Sequence, residues 1–194
     1  TEMSNFVVRM MLPGGTIDTL AGSGVVGYAD GVGRAARFWQ LQGIAVALDG
    51  AILVAEGNST DHNRIRRIDR VTREVTTIAG IGPQGLAAEA ALAATSPLGD
   101  PTDLVVGPDG TIYVTEMGNN RGARIDPTGR IWTYAGTAGV SGDSGDGGPA
   151  TSARFMMPYG LALDASGVLY VADYSANRVR RVVPGAVPSA ATVE

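Results

Sequence analysis

The sequence predicts an all-β chain assembled from tandem four-stranded units, and three observations carry that prediction. Three segments superimpose in register: GIAVALDGAILVAE (43–56), DLVVGPDGTIYVTE (103–116) and GLALDASGVLYVAD (160–173). Each holds a turn glycine (Gly50, Gly110, Gly167) between two short apolar runs, and each closes on an acid (Glu56, Glu116, Asp173). An Asn-Arg pair follows each segment, at Asn63-Arg64, Asn120-Arg121 and Asn177-Arg178, and a second arginine keeps the register at Arg67, Arg124 and Arg181. Self-similarity at a fixed period marks a repeat architecture with one supersecondary unit per repeat.

Within a repeat the first strand is apolar and alternating, at Ile44/Val46, Leu104/Val106 and Leu161/Leu163. An Asp-Gly or Ser-Gly turn follows, which is a hairpin signal. The second strand is rich in β-branched and aromatic residues, at 52–55, 112–115 and 169–172. The third carries the arginines, at 64–69, 122–126 and 178–183. The fourth ends in Ala79-Gly80 or Ala135-Gly136, and Gly- or Ala-rich connections lead onward. Residues 86–95 are Ala-rich and predict a short helix inside one connection. Four strands repeated in tandem read as the blades of a β-propeller.

The motif of an apolar strand, an Asp/Ser-Gly turn, apolar-Tyr-Val-Ala-Asp and then Asn-Arg-apolar-Arg resembles the NHL repeat. The segment GDGGPATSARFMMPYG (145–160) is similar to the connection common in bacterial NHL propellers. The likeness runs from Asn5 to Val183 and recurs three times. It has departures: three extra residues around Ser59–Asp61, and Gly122-Ala123 where the other repeats have an apolar residue and Arg. The family's usual Asn-His order is also reversed, as His62-Asn63.

The N-terminus matches only the second half of a repeat. NFVVR (5–9) aligns with NRIRR (63–67), and TIDTLAG (16–22) with VTTIAG (75–80). The expected order is thus two strands, two full blades and three more strands, thirteen in all and slightly more than three blades. Residues 1–183 form the expected half-propeller, and 184–194, with two prolines and small residues, read as a flexible tail. Propellers close with four to eight blades, and the resemblance implies six. A second copy, head to tail, would supply the missing blades, each chain's fourth-type strand (16–22) completing its partner's last blade. The homodimer is therefore the expected assembly, with a longer chain carrying further blades as the other option.

Composition narrows the chemistry. With 194 residues, 44% hydrophobic and 18% charged, the chain has the make-up of one soluble globular domain. Gly and Pro make up about a fifth of it, below the roughly 25–30% of low-complexity chains. No apolar run approaches the roughly 18 residues of a spanning helix, so no membrane association is expected. A secreted or periplasmic bacterial location is compatible with this. Zero Cys removes thiolate nucleophiles, disulfides and thiolate-bound metals, and the lone His62 removes any two-histidine site from one chain. All 15 basic residues are Arg, and the net charge is −4, which disfavours the nucleic-acid binding known of some NHL domains.

Candidate sites follow from the repeat. Glu56, Glu116 and Asp173 with Arg64, Arg67, Arg121, Arg124, Arg178 and Arg181 are expected to form structural ion pairs, since a feature present in every repeat serves the repeat. The GDSGDGGP stretch (142–149) lacks a partner histidine and reads as a connection, not a serine nucleophile loop. In six-bladed enzymes of this general class, such as gluconolactonase-like hydrolases and amidating lyases, the channel mouth holds a metal. Here the corresponding positions are Gly43, Asp103 and Gly160, with Asp100 near, and only a carboxylate or two is on offer. Trp39 and Gln42 precede or open the first inner strand, and Met157 and Tyr159 the third. Aromatic and Met side chains at a channel rim suit ligand or peptide recognition. Trp39, Gln42, Asp103, Met157 and Tyr159 are therefore the expected ligand-binding residues of a non-enzymatic module, with no catalytic residue, metal or cofactor. A metal-assisted lactonase or lyase centred on Asp103 is the alternative.

Overall fold

The structure is a computed structural model that describes residues 1–183 and 192–193. Its regular elements are strands and short 3-10 turns. Strands β1 (Val8–Met11) and β2 (Ile17–Ala21) form a two-stranded sheet. The first full blade contains β3 (Gly31–Val32), β4 (Leu41–Val46), β5 (Ile52–Glu56), β6 (Asn63–Ile68) and β7 (Glu74–Gly82), in the order β3-β7-β6-β5-β4. The second repeats it with β8 (Ala91–Leu92), β9 (Pro101–Val106), β10 (Ile112–Glu116), β11 (Arg121–Ile125) and β12 (Arg130–Ala135), ordered β8-β12-β11-β10-β9. The third is β13 (Pro158–Leu163), β14 (Leu169–Asp173), β15 (Arg178–Val183) and β16 (Thr192–Val193), in chain order. All pairings are antiparallel, and the inner strands β4, β9 and β13 lie side by side.

The repeat glycines sit where the geometry needs them. Gly50, Gly110 and Gly167 have φ of 83°, 84° and 86° in the turns between the first and second strands of each blade. That left-handed conformation is open to glycine at little steric cost. In each turn a carboxylate (Asp49, Asp109, Asp164) accepts a backbone N–H two residues on.

Alternation along the strands builds the core between blades. Leu53, Ala55 and Ile65 meet Leu104, Val114, Ala123 and Ile125 between the first two blades. Tyr134 and Ala135 meet Phe155, Leu169, Val171 and Val182 between the second and third. Val8, Leu20 and Ala21 of the N-terminal pair cover Phe38, Leu41, Val54 and Ile68. Phe38, Leu98 and Phe155, in register with one another, are fully buried at the blade junctions.

The structure departs from the sequence-based expectation in three places. The sequence pattern misses the outer strands β3 and β8, because two-residue strands carry no measurable periodicity. The Ala-rich stretch 86–95 contains β8 and a single 3-10 turn, Ala93–Thr95, instead of a helix, since it is spent pairing with β12 and closing the connection. Thr192–Val193, expected in the tail, pair with β15 and stand in the fourth-strand position assigned to a partner's residues 16–22. Val193 is buried there, as Val75 and Ile131 are in the other blades. The remainder of that expected tail, 184–191 and 194, lies outside the described residues. No helix among the described residues is long and apolar enough to cross a membrane.

Of the three closing acids, Glu116 pairs with the recurring Arg121, Glu56 pairs instead with Arg66, and Asp173 accepts backbone N–H groups. Arg66 Nη1 donates to Glu56 at 3.0 Å, while Nη2 donates to Asp30 at 2.7 Å and to the Ala29 carbonyl at 2.8 Å. Arg180 Nη2 likewise donates to Asp146 at 2.5 Å and to the Ser144 carbonyl, and its Nη1 to the Arg154 carbonyl. Both guanidinium groups lie over a buried ring, Arg66 over Phe38 and Arg180 over Phe155. Arg67 and Arg181 sit three residues from Arg64 and Arg178, hence on the opposite sheet face, and Arg67 pairs with the exposed Asp49 instead. Arg124 lies over Trp132, Arg64 over Tyr28, and Arg178 pairs with Asp143. In the second blade the Arg66 position is Ala123. There Arg121, two residues earlier on the same face, donates to both Glu116 oxygens at 3.0 and 3.2 Å. Asp173 instead accepts the backbone N–H groups of Met156 and Met157.

Arg66→Ala should therefore destabilise the chain by about 3–5 kcal/mol in urea unfolding, because it strands the buried Glu56 carboxyl. Arg67→Ala, with a half-exposed side chain, should leave the midpoint almost unchanged.

Candidate functional site

All the rim positions lie where inner strands begin and second strands end. Between the second and third blades this arrangement opens a cleft of about 430 Å³ lined by Met117, Met157, Tyr159 and Tyr174. Each wall has a local cause. Met117 and Tyr174 are the residues directly after the closing acids Glu116 and Asp173. In the first blade the same position is Gly57, where an added Cβ would stand 2.5 Å from the Pro101 carbonyl oxygen. The space between the first and second blades is thus closed by backbone, while that between the second and third carries side chains.

Tyr159 is held by three hydrogen bonds at two atoms. Its carbonyl accepts the Thr102 and Thr115 hydroxyls at 2.9 and 2.8 Å, and its own hydroxyl donates to Gln42 Oε1 at 2.9 Å. Its ring meets that of Tyr174 at 6.3 Å between centroids, tilted by 48°. Tyr174 N donates to the Met157 carbonyl, and the Ser175 hydroxyl donates to Met157 Sδ at 2.8 Å. Tyr174 itself is 70% exposed. The cleft is apolar, with polar anchors set behind its walls.

The sequence-derived residues divide. Met157 and Tyr159 line the cleft and Gln42 braces it from the first blade's inner strand. Asp103 lies beneath, and its carboxylate accepts Leu161 N and Leu104 N, both at 2.9 Å, joining the second blade to the third. Burial raises its pKa, and that of Asp100, whose carboxylate accepts the Asn58 backbone N–H. Trp39 lies away from the cleft, stacked on His62 at 3.9 Å with the rings 8° from parallel. Met117 and Tyr174 escaped the sequence reading; the signal that could have found them is their common position after the closing acid. Among the described residues no three His, Asp or Glu side chains are placed to hold a metal ion together.

The first blade's rim is a separate polar cluster. The three extra residues around Ser59–Asp61 lengthen the connection, and His62 turns onto Trp39. In the second blade Asn119 stands in the place of His62 and donates to Glu116 Oε2 at 2.5 Å. Glu56 Oε2 receives no such bond and is left buried and unpartnered, as are Trp39 Nε1, Asn63 Oδ1, Arg64 Nη1 and Arg66 Nε. Burial pushes the Glu56 carboxyl up to about 7, against the pull of Arg66.

The recurring strands form propeller-type blades, and the chain is similar to an NHL repeat-containing protein. No family model matches the chain. It is 29% identical over 179 residues to human NHL repeat-containing protein 2, covering 80% of this chain and 24% of that protein. Among solved structures it superposes on virginiamycin B lyase from Staphylococcus aureus with a TM-score of 0.59 and 16% identity, covering all of this chain and 50% of the lyase. A gluconolactonase from Xanthomonas campestris gives a TM-score of 0.59 and 17% identity, covering 94% of this chain and 52% of that one. The chain thus spans about a quarter of the human relative and half of either enzyme. At these identities the solved structures establish the propeller-type fold.

Glu56 carries a pH dependence. A carboxyl whose native pKa lies above its usual 4.5 binds its proton more tightly in the folded state. The stability this adds is fully present below 4.5 and is lost as pH rises through 7, up to about 3 kcal/mol. Relative to Glu56→Gln, which lacks this proton, the wild-type chain should lose stability between pH 4.5 and 8. Urea unfolding of both proteins across that range measures it; a pH-independent difference contradicts the assignment.

Proposed function

We propose that this chain is a non-enzymatic recognition module that takes an apolar group of a peptide, protein or small ligand into the cleft between its second and third blades. The observation that carries this reading is the braced Met117–Met157–Tyr159–Tyr174 cleft. Apolar walls with a few convergent polar anchors are the usual composition of a ligand pocket. The carboxylates beside the cleft residues support it too, since Asp103 and Asp173 are occupied by backbone N–H groups and Glu116 by Arg121. Panning a random-sequence peptide library against the folded chain should enrich sequences with a bulky apolar anchor. Their affinity should fall roughly tenfold in Tyr174→Ala and in Met157→Ala, the loss of one buried anchor contact. Enrichment indifferent to both variants would overturn the reading.

The rival reading is a metal-assisted lactonase or lyase acting through Asp103, favoured by the two enzymes named above. It predicts turnover of lactones or esters in the presence of Ca²⁺ or Zn²⁺ that disappears in Asp103→Asn.

Assembly is part of the proposal. The first blade leaves Ile44 and Val46 exposed at positions where the second and third blades bury or half-bury Leu104, Val106, Leu161 and Leu163. The third blade leaves Val179 71% exposed on its far face. A second copy placed head to tail, with its N-terminal pair β1–β2 lying between its first blade and this third blade, would cover Val179 and bring the full blades to six. With β16 already in the fourth-strand position, that contact is face to face and does not require strand exchange. Light scattering after size exclusion should give a mass near twice 19.9 kDa; a mass of a single chain at micromolar concentration contradicts the assembly.

A further inference from the structure

We infer that the cleft selects a neutral aromatic ring over an aliphatic group of the same size, an inference that rests on the recognition reading above and names its ligand. The walls are two thioethers and two phenol rings, with no charged side chain among them. A charged ligand would lose its hydration without gaining a counter-charge, because Asp103 and Asp173 already accept backbone N–H groups and Glu116 is paired with Arg121. What the walls offer is specific to a π-system. Thioether sulfur packs favourably at ring edges, and tilted or edge-to-face ring pairs gain more than their buried area alone.

The geometry is prepared for such a guest. The Tyr159 and Tyr174 rings are 6.3 Å apart and inclined at 48°, so they do not close on each other face to face. The Met157 sulfur is oriented by the Ser175 hydroxyl, and the Tyr159 ring by Gln42 at its tip and two threonine hydroxyls at its carbonyl. Tyr174, the more exposed of the two rings, is placed to adjust over an entering ring. A volume of about 430 Å³ holds one ring with a substituent but not an extended polymer.

The test uses the full chain with its methionine methyl groups labelled with carbon-13. The sequence has six methionines, so the Met117 and Met157 signals are assigned by loss in Met117→Leu and Met157→Leu. The probes are phenol, p-cresol, indole and cyclohexanol, the last being the aliphatic counterpart of phenol. The expected result is a saturable upfield ring-current shift of both methyl signals with the aromatic probes, and binding of cyclohexanol weaker by about fivefold or more, a difference of about 1 kcal/mol. Tyr174→Leu, an exposed substitution that keeps apolar area but removes the ring, should erase most of that preference while the other methyl signals stay in place. Equal affinity for cyclohexanol overturns the inference and leaves the recognition reading standing on the peptide library. Absence of any saturable shift overturns it as well. Acetyl-Gly-Tyr-Gly-amide distinguishes the source of the ring. Tighter binding than p-cresol supports a ring presented on a peptide, and weaker binding supports a free aromatic molecule.

Discussion

A buried guanidinium on the third strand of each blade holds the connections to the sheets. Arg66 and Arg180 are enclosed almost completely, yet each bonds a carboxylate of the preceding connection (Asp30 or Asp146) and two backbone carbonyls of that connection or its junction with the blade. The long Gly-rich connections have few apolar contacts of their own, so their course is set by these charge-assisted bonds. The planar fork of Arg reaches several acceptors at once, which a lysine ammonium could not do from the same position. The Asp30, Glu89 and Asp146 acids recur at equivalent points, and Asp30 and Glu89 also accept from Thr77 and Thr133. The glycine-rich segment around Asp146 is thereby accounted for as an anchored connection.

This dependence also explains the variation between blades. With Ala at 123, the second blade shifts the role to Arg121, which satisfies Glu116 from the neighbouring position on the same face. With Asp173 one methylene shorter than a glutamate, the third blade spends its acid on Met156 and Met157 N–H groups. That choice orients the backbone leading into Tyr159 and so shapes the cleft wall. The first blade, lengthened by three residues, leaves several buried polar atoms unpartnered around Glu56, and a carboxyl in that setting holds its proton near neutrality. One repeat motif thus serves as scaffold, cleft wall and titrating group according to its local neighbours.

The cleft is a consequence of the spacing between blades more than of any single residue. Its walls come from two blades, Met117 from the second and Met157, Tyr159 and Tyr174 from the third, and Gln42 of the first braces the Tyr159 ring. Thr102 and Thr115, which fix the Tyr159 carbonyl, lie on the first two strands of the second blade. Gly57 marks the contrast, since its lack of a side chain lets the first and second blades close where the second and third remain open.

Much of this was legible from the residues alone. The blade strands follow from alternation, because a strand's two-residue period forces apolar residues onto one face, and the Asp/Ser-Gly turns and the buried Phe38, Leu98 and Phe155 follow from the register of the repeat. Met157 and Tyr159 were legible as rim residues because they stand just before and at the start of the third inner strand. The partners of the closing acids were not. Arg64 and Arg67 recur conspicuously, but a three-residue step puts them on opposite faces, and only the packed sheet shows that Arg66 and Arg180 point inward to the connections. Trp39 was read as a rim residue of the first blade, yet the cleft opens between the second and third blades, and Trp39 stacks on His62 instead. Asp103 was read as a channel carboxylate, whereas cross-blade hydrogen bonding commits it to Leu161. The two-residue strand β16 carries no periodic signal and is defined by the edge of β15 that receives it. The sequence by itself determined the repeat, the strand pattern and the faces they bury, since these depend on local period. Tertiary structure alone decided which charges pair, which gaps between blades stay open and which carboxyl keeps its proton, because each depends on groups far apart in the chain meeting at a few ångströms.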